Sequence, residues 1–152
     1  MDEWEELFSG LPVRHSERES KLIEFCEKYR VNILSAMPWV ASEIAAQSGF
    51  SDLFNLVYCF GGRKIHMPPE RKEFYKIYNI SMTEHSYQRL YKKSDVSGYL
   101  ELPSAWGVFM AIRRAAMQLA MKEDVPTMFL TKTFGVTMRN IRLIKAKRDV
   151  SV

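Results

Sequence analysis

The chain has 152 residues, of which 47% are hydrophobic and 26% charged, and its formal net charge is +4. That length suits one domain, or two very small ones sharing a core, and the apolar fraction excludes a globally disordered chain. No run of about 18 apolar residues occurs, which excludes a membrane-spanning helix, and no membrane partner is expected.

The opening MDEWEELF is acidic where a secretory leader needs a basic start, so a cytoplasmic location is expected. Cys26 and Cys59 both fall within apolar helical patterns and are expected to be buried free thiols, with no disulfide or metal site between them. Charge is unevenly spread. Residues 1–61 hold five Lys and Arg against ten Asp and Glu, residues 62–103 eight against five, and residues 104–152 nine against three. An acidic front and a basic rear point to a polyanionic partner for the rear.

In chain order, Leu22, Ile23, Phe25, Cys26 and Tyr29 recur at helical spacing, and Ser16 with Glu19 forms a capping box, which predicts a helix over 16–30. After Pro38, WVASEIAAQS predicts a second helix that stops at Gly49. Ser51 and Asp52 are expected to cap DLFNLVYCF, which ends at Gly61 and Gly62, so the first 62 residues read as entirely helical. From Arg63 the period changes to two: Ile65 and Met67 alternate with Lys64 and His66 and predict a short strand over 63–67, closed by Pro68. ERKEFYKIY then predicts a short helix with Pro69 near its first turn, and Thr83 opens another in TEHSYQRLYKK. GYLEL predicts a second strand over 98–102, followed by Pro103. KIHMPPERKEF and YLELPSAWGVF form a weak repeat of strand, proline and helix start, and the two strands are expected to pair as a ribbon. Residues 104–122 predict a strong helix rich in Ala and Met.

The last segment carries the functional signal. Two short helices crossing steeply need a glycine in the turn, for its access to positive φ, and apolar residues at set distances from it. Around Gly135, Leu130, Phe134, Val136, Ile141 and Ile144 stand at −5, −1, +1, +6 and +9, the core spacing of a helix-turn-helix. Thr131 is small enough for close helix approach, and Thr137 is placed to cap the second helix. That helix, TMRNIRLIKAKR, presents Thr137, Met138, Arg139, Asn140 and Arg142 near its start as base-reading candidates. Arg holds guanine and Asn holds adenine by paired hydrogen bonds in the major groove. Arg63, Lys64, Arg113, Arg114, Lys132, Lys145, Lys147 and Arg148 are the candidates for phosphate contact, which sets register without reading sequence.

A rival arrangement, FYKIYNISMTEHSYQRLYKK with Asn79 in the turn, fails on the same template. Tyr75 falls where a small residue is wanted, and His85 and Gln88 fall where apolar ones are wanted. It is expected to be a structural helical pair, with Tyr75, Tyr78, Tyr87 and Tyr91 in a core or interface. His15, His66 and His85 stand in unrelated settings, no metal-ligand spacing occurs, GGRK is too short for a phosphate loop and there is no nucleophile elbow. No enzyme activity and no cofactor are expected.

The stretch MPWVASEIAAQSGFSDLFNLVYCFGGRKIHMP, residues 37–68, resembles the N-terminal region of the Mor transcription activator family of phages and prophages. Phe60, Gly61, Gly62, Arg63, Ile65, Met67 and Pro68 stand where that family has an aromatic residue, a double glycine, a basic residue and a strand ending at proline. The helix-turn-helix at about 113–148 resembles the family's DNA-binding end. The resemblance implies a homodimeric, sequence-specific activator that assists RNA polymerase, with Leu53, Phe54, Val57, Tyr58 and Phe60 at the dimer interface. It departs from the family at 69–103, where a helical pair and a second strand intervene.

The expected fold is therefore mainly α: a helical dimerisation region over 1–62, strand, helical pair and strand over 63–103, and a helix-turn-helix region over 104–152. The expected function is that of a sequence-specific DNA-binding transcription regulator, an activator acting as a dimer on a palindromic operator. The alternative is a protein-interaction module or anti-regulator of a mobile element, whose essential surface is the aromatic middle and whose partner is a protein.

Overall fold

A computed structural model describes the backbone of residues 4–150 and the side chains of residues 4–147. Helices α1 (Trp4–Leu7), α2 (Glu17–Lys28), α3 (Arg30–Ala36), α4 (Trp39–Ser48) and α5 (Phe50–Phe60) lead into strand β1 (Lys64–His66). Helices α6 (Arg71–Tyr78) and α7 (Glu84–Tyr91) follow, then strand β2 (Tyr99–Glu101), then α8 (Ala105–Lys122), α9 (Thr127–Phe134) and α10 (Met138–Val150). The fold is mainly α with one small antiparallel sheet. Among the described residues no helix is long and apolar enough to cross a membrane.

The capping signals act where the sequence places them. The Ser16 hydroxyl accepts the Glu19 N–H at 3.2 Å at the start of α2. The Glu19 carboxylate, buried, accepts the His15 N–H at 3.1 Å, one residue earlier than a reciprocal capping box would have it. Thr83 and Ser104 cap α7 and α8 in the same way. Three expectations for the front segment need correction. Residues 8–16 are not helical. Tyr29, at φ −109, breaks the predicted 16–30 helix, so that α2 ends at Lys28 and α3 starts at Arg30. Ser51 and Asp52 lie inside the first turn of α5, whose N-cap is Gly49, and Asp52 accepts the Ser48 hydroxyl instead of capping.

The joint after α5 depends on a close approach. A Cβ at Gly61 would lie 2.3 Å from the Val57 carbonyl oxygen and 3.0 Å from that of Pro103. Only glycine lets the end of α5 meet the start of the α8 segment at this distance. The Gly62 N–H then donates to the Leu102 carbonyl at 3.0 Å, which begins the ribbon. Lys64 pairs with Glu101, Ile65 with Leu100 and His66 with Tyr99. Ile65 and Leu100 turn inward, while the flanking pairs face out, the alternation expected of a half-buried strand.

One hydrophobic core runs from Trp4 to Ile141. The three segments read from the sequence are therefore parts of one body: α3 and α5 pack on α8, α1 packs on α9 and α4 packs on α7. The rings of Phe8 and Phe134 lie 5.5 Å apart, joining the acidic front to the basic rear. Both cysteines are free, but only Cys26 is buried; Cys59 lies on the outward face of α5 and is exposed. Burial pushes the Cys26 thiol well above its usual value.

Replacing Gly61 by Ala must displace backbone, and this overpacking is expected to cost about 1–3 kcal/mol or more. Thermal unfolding followed by circular dichroism should show a clear loss of melting temperature for Gly61→Ala. Gly10→Ala, which meets nothing within 4 Å, should leave it unchanged.

Tyr87 is wholly buried and its hydroxyl donates to the Pro68 carbonyl. Desolvation, then the neighbouring Tyr91, Tyr78 and Glu84, push its pKa up to about 12. Because the folded pKa lies above the unfolded one, near 10, the contribution is complete below about pH 10 and is lost as pH rises towards 12. Denaturant titrations across that window should show falling stability, and Tyr87→Phe should flatten this alkaline slope.

Candidate nucleic-acid interface

After α8, Pro126 starts α9, whose Leu130 and Phe134 point into the core. The helix ends at Gly135, at φ 62 and ψ 24, with its N–H donating to the Thr131 carbonyl at 2.9 Å. This left-handed residue is what reverses the chain within three residues. The Thr137 hydroxyl accepts the Asn140 N–H at 3.1 Å and so caps α10. Ile141 is buried, while Val136 and Ile144 are half-buried against the same core. The helix-turn-helix core thus closes on the residues that the spacing selects.

Of the base-reading candidates, Met138, Arg139, Asn140 and Arg142 are exposed along the first two turns of α10. Thr137 is exposed too, but its hydroxyl is engaged as the helix cap, so it positions the others. Leu143 adds an exposed apolar side chain to this face.

The phosphate candidates divide by setting. Lys132, on the exposed side of α9, lies 3.7 Å from Glu5 of α1. Arg114 is exposed on α8, whereas Arg113 is half-buried with its guanidinium 5.9 Å from the Phe134 ring centre, and burial lowers its pKa. Arg113 therefore braces the α8–α9 junction. Lys147 is exposed and Lys145 half-buried on α10; the side chain of Arg148 lies outside the described residues. Arg63 and Lys64 are engaged beside the ribbon: Arg63 donates to the Cys59 carbonyl of α5 at 2.8 Å, and Lys64 pairs with Asp95, ahead of β2, at 3.2 Å.

The dimer-interface candidates require correction. Leu53 and Phe54 are fully buried and Val57 nearly so, inside the chain's own core, leaving no surface for a second copy. Tyr58 is half-buried and donates to the Pro12 carbonyl, and Phe60 packs edge-on against Tyr78 at 5.3 Å. An amphipathic helix shows that a face is buried, not what covers it. In this chain α4, α2 and α8 pack against α5 and supply that cover.

The middle pair, α6 and α7, is helical as expected, with Tyr87 in the core. Asn79 adopts the left-handed conformation at the end of α6, at φ 58, as Gly135 does at the end of α9. The connection to the next capping threonine is two residues longer, since Thr83 follows Asn79 by four and Thr137 follows Gly135 by two. Counted from that threonine, the buried Tyr87 and Leu90 stand at +4 and +7, the places of Ile141 and Ile144. Counted back from the left-handed residue, Phe74 and Tyr78 stand at −5 and −1, the places of Leu130 and Phe134. The rigid template of one turn length hid this match, which Thr83 as a helix start could have revealed. Of the aromatic residues there, Tyr87 is buried, Tyr78 and Tyr91 are half-buried and only Tyr75 is exposed, so the middle offers little aromatic surface to a protein partner.

Among the described residues, no three His, Cys, Asp or Glu side chains are grouped so as to hold a metal ion. Compared with known proteins, the chain matches no family model, no curated sequence and no solved structure.

Proposed function

We propose that the chain is a sequence-specific double-stranded DNA-binding regulator of transcription, with α10 lying in the major groove. The observation that carries this is the start of α10: Arg139, Asn140 and Arg142 are exposed on a helix whose opposite side is anchored by Ile141 and whose entry is set by Gly135 and Thr137. Arginine and asparagine are the side chains suited to paired hydrogen bonds with guanine and adenine edges. The nine Lys and Arg against three Asp and Glu over 104–152 supply the attraction to phosphate.

The similarity of residues 37–68 to Mor activators extends this to a regulator that meets RNA polymerase at a promoter. A homodimer on this reading uses a face other than that of Leu53, Phe54 and Val57. The function is binding, with no catalytic step and no cofactor.

Site selection from a random duplex pool, followed by gel-shift titration, tests the proposal. Affinity should fall steeply with salt. Arg139→Ala should weaken preference at one base position by about 1–3 kcal/mol. Lys147→Ala should weaken binding to all sequences alike and reduce the salt slope by about 1. Absence of salt-dependent binding to any duplex would overturn the proposal.

A further inference from the structure

We infer that α6 and α7 form a second helix-turn-helix unit of the same chain and that the outer face of α7 is a second contact for double-stranded DNA. This rests on the DNA-binding proposal for α10 and adds a second reading surface to it. The correspondence is one of capping and of spacing along the chain. In both units an eight-residue helix ends on a left-handed residue, Asn79 or Gly135. In both, a threonine hydroxyl caps the next helix by accepting the N–H three residues on, at 3.2 Å from Ser86 and 3.1 Å from Asn140. Buried side chains then fall at +4 from each threonine, and at +7 Leu90 is buried where Ile144 is half-buried.

Equal spacing from cap to core fixes which positions point away from it, because each residue turns the helix by a set angle. His85 therefore corresponds to Arg139 and Gln88 to Arg142; Lys93 lies past the end of α7. The +3 position differs: Asn140 is exposed, but Ser86 is buried and donates to Glu43 of α4 at 2.6 Å. Arg89 also pairs with Glu43 at 3.5 Å, and the charged ends of Arg89 and Lys93 each lie 5.7 Å from the Trp39 ring centre. One flank of α7 is thus bound to α4. His85 and the C-cap residue Lys92 are exposed, and Gln88 is half-exposed with its amide donating to Glu84 at 2.9 Å, a stripe at helical spacing.

The chemistry of that stripe fits a nucleic acid. Gln is a partner for adenine edges, and His and Lys donate to base or phosphate oxygens. Residues 70–95 hold six Lys and Arg against four Asp and Glu, and Arg71, Lys76 and Arg89 pair with Glu84, Glu73 and Glu43, so the positive charge on the outer stripe is that of Lys92. An eight-residue helix is long enough, since base contacts come from the first turns of a recognition helix.

The test uses the full chain on a duplex selected by the wild type, with hydroxyl-radical footprinting and gel-shift titration. His85→Ala/Gln88→Ala should lose protection over one part of the footprint and weaken binding about tenfold or more. Arg139→Ala/Asn140→Ala should lose a different part. Lys92→Glu, an exposed single change, should reduce the salt slope by about 1 and serves where the double variant alters the circular dichroism melt. An unchanged footprint, affinity and salt slope in the α7 variants, with binding lost in the α10 variant, would overturn the second unit and leave the proposed function standing. No binding of the wild type to any duplex would overturn both.

Discussion

The arrangement of everything after residue 60 depends on the close approach of Gly61 to the Val57 and Pro103 carbonyls. Helix α5 ends where the chain must also receive the segment leading into α8, and no side chain fits between them. From that contact the ribbon extends outward, through the Gly62 N–H to Leu102 and the Leu102 N–H to Arg63, as far as the Met67 N–H to Gly98. Strands of three residues are too short to hold themselves together. These hold because Ile65 and Leu100 are sealed into the core and their ends are fixed at the glycine joint. The result is that α6 and α7 form an excursion between two paired strands, and α8 leaves the ribbon beside the helix from which β1 came.

That return places α8 against α3 and α5, and α8 carries the helix-turn-helix. The acidic front closes over the same assembly. Trp4 and Phe8 of the first segment stack edge-on with Phe25, and Phe8 continues to Phe109 and Phe134. The Arg113 guanidinium lies 5.9 Å from the Phe134 ring centre. The apolar contacts dominate this junction energetically. The Glu5–Lys132 pair at its edge is exposed on both sides, and such pairs contribute little. The pair places acidic α1 beside the basic side of α9.

What was legible in the sequence is what local chemistry decides. Ser16, Thr83 and Ser104 mark helix starts because a hydroxyl satisfies an N–H three residues on, and Gly135 marks a turn because few residues accept its backbone. The strands and their pairing followed from a period of two and two prolines. Less legible was anything decided by a distant partner. Leu53, Phe54 and Val57 had the pattern of a face awaiting cover, but only the tertiary structure shows α4, α2 and α8 providing it. Cys59 sits in an apolar run yet faces out, because the burial stripe of α5 passes through Phe54 and Val57 instead. Tyr29 breaks a helix without any residue-level signal. The middle pair failed its template through two extra residues in a turn, which shift every later position.

Those two residues also distinguish the units physically. Ile80 and Met82, in the longer turn, are buried, and the backbone around them is held from three sides. The Ser81 N–H donates to the Ser48 hydroxyl, the Thr83 N–H to the Gln47 side chain, and the Arg71 guanidinium to the Met82 carbonyl. Helix α7 is therefore fixed to α4 along its turn and one flank, and its outward stripe is narrow. Helix α10 is entered by a short turn and anchored chiefly through Ile141, so Arg139, Asn140 and Arg142 all remain outward. If both meet DNA, the narrow, braced helix suits a contact that sets register, and the broader face of α10 suits discrimination among bases. Preorganised side chains lose less entropy on binding, whereas a wider set of outward donors reads more positions.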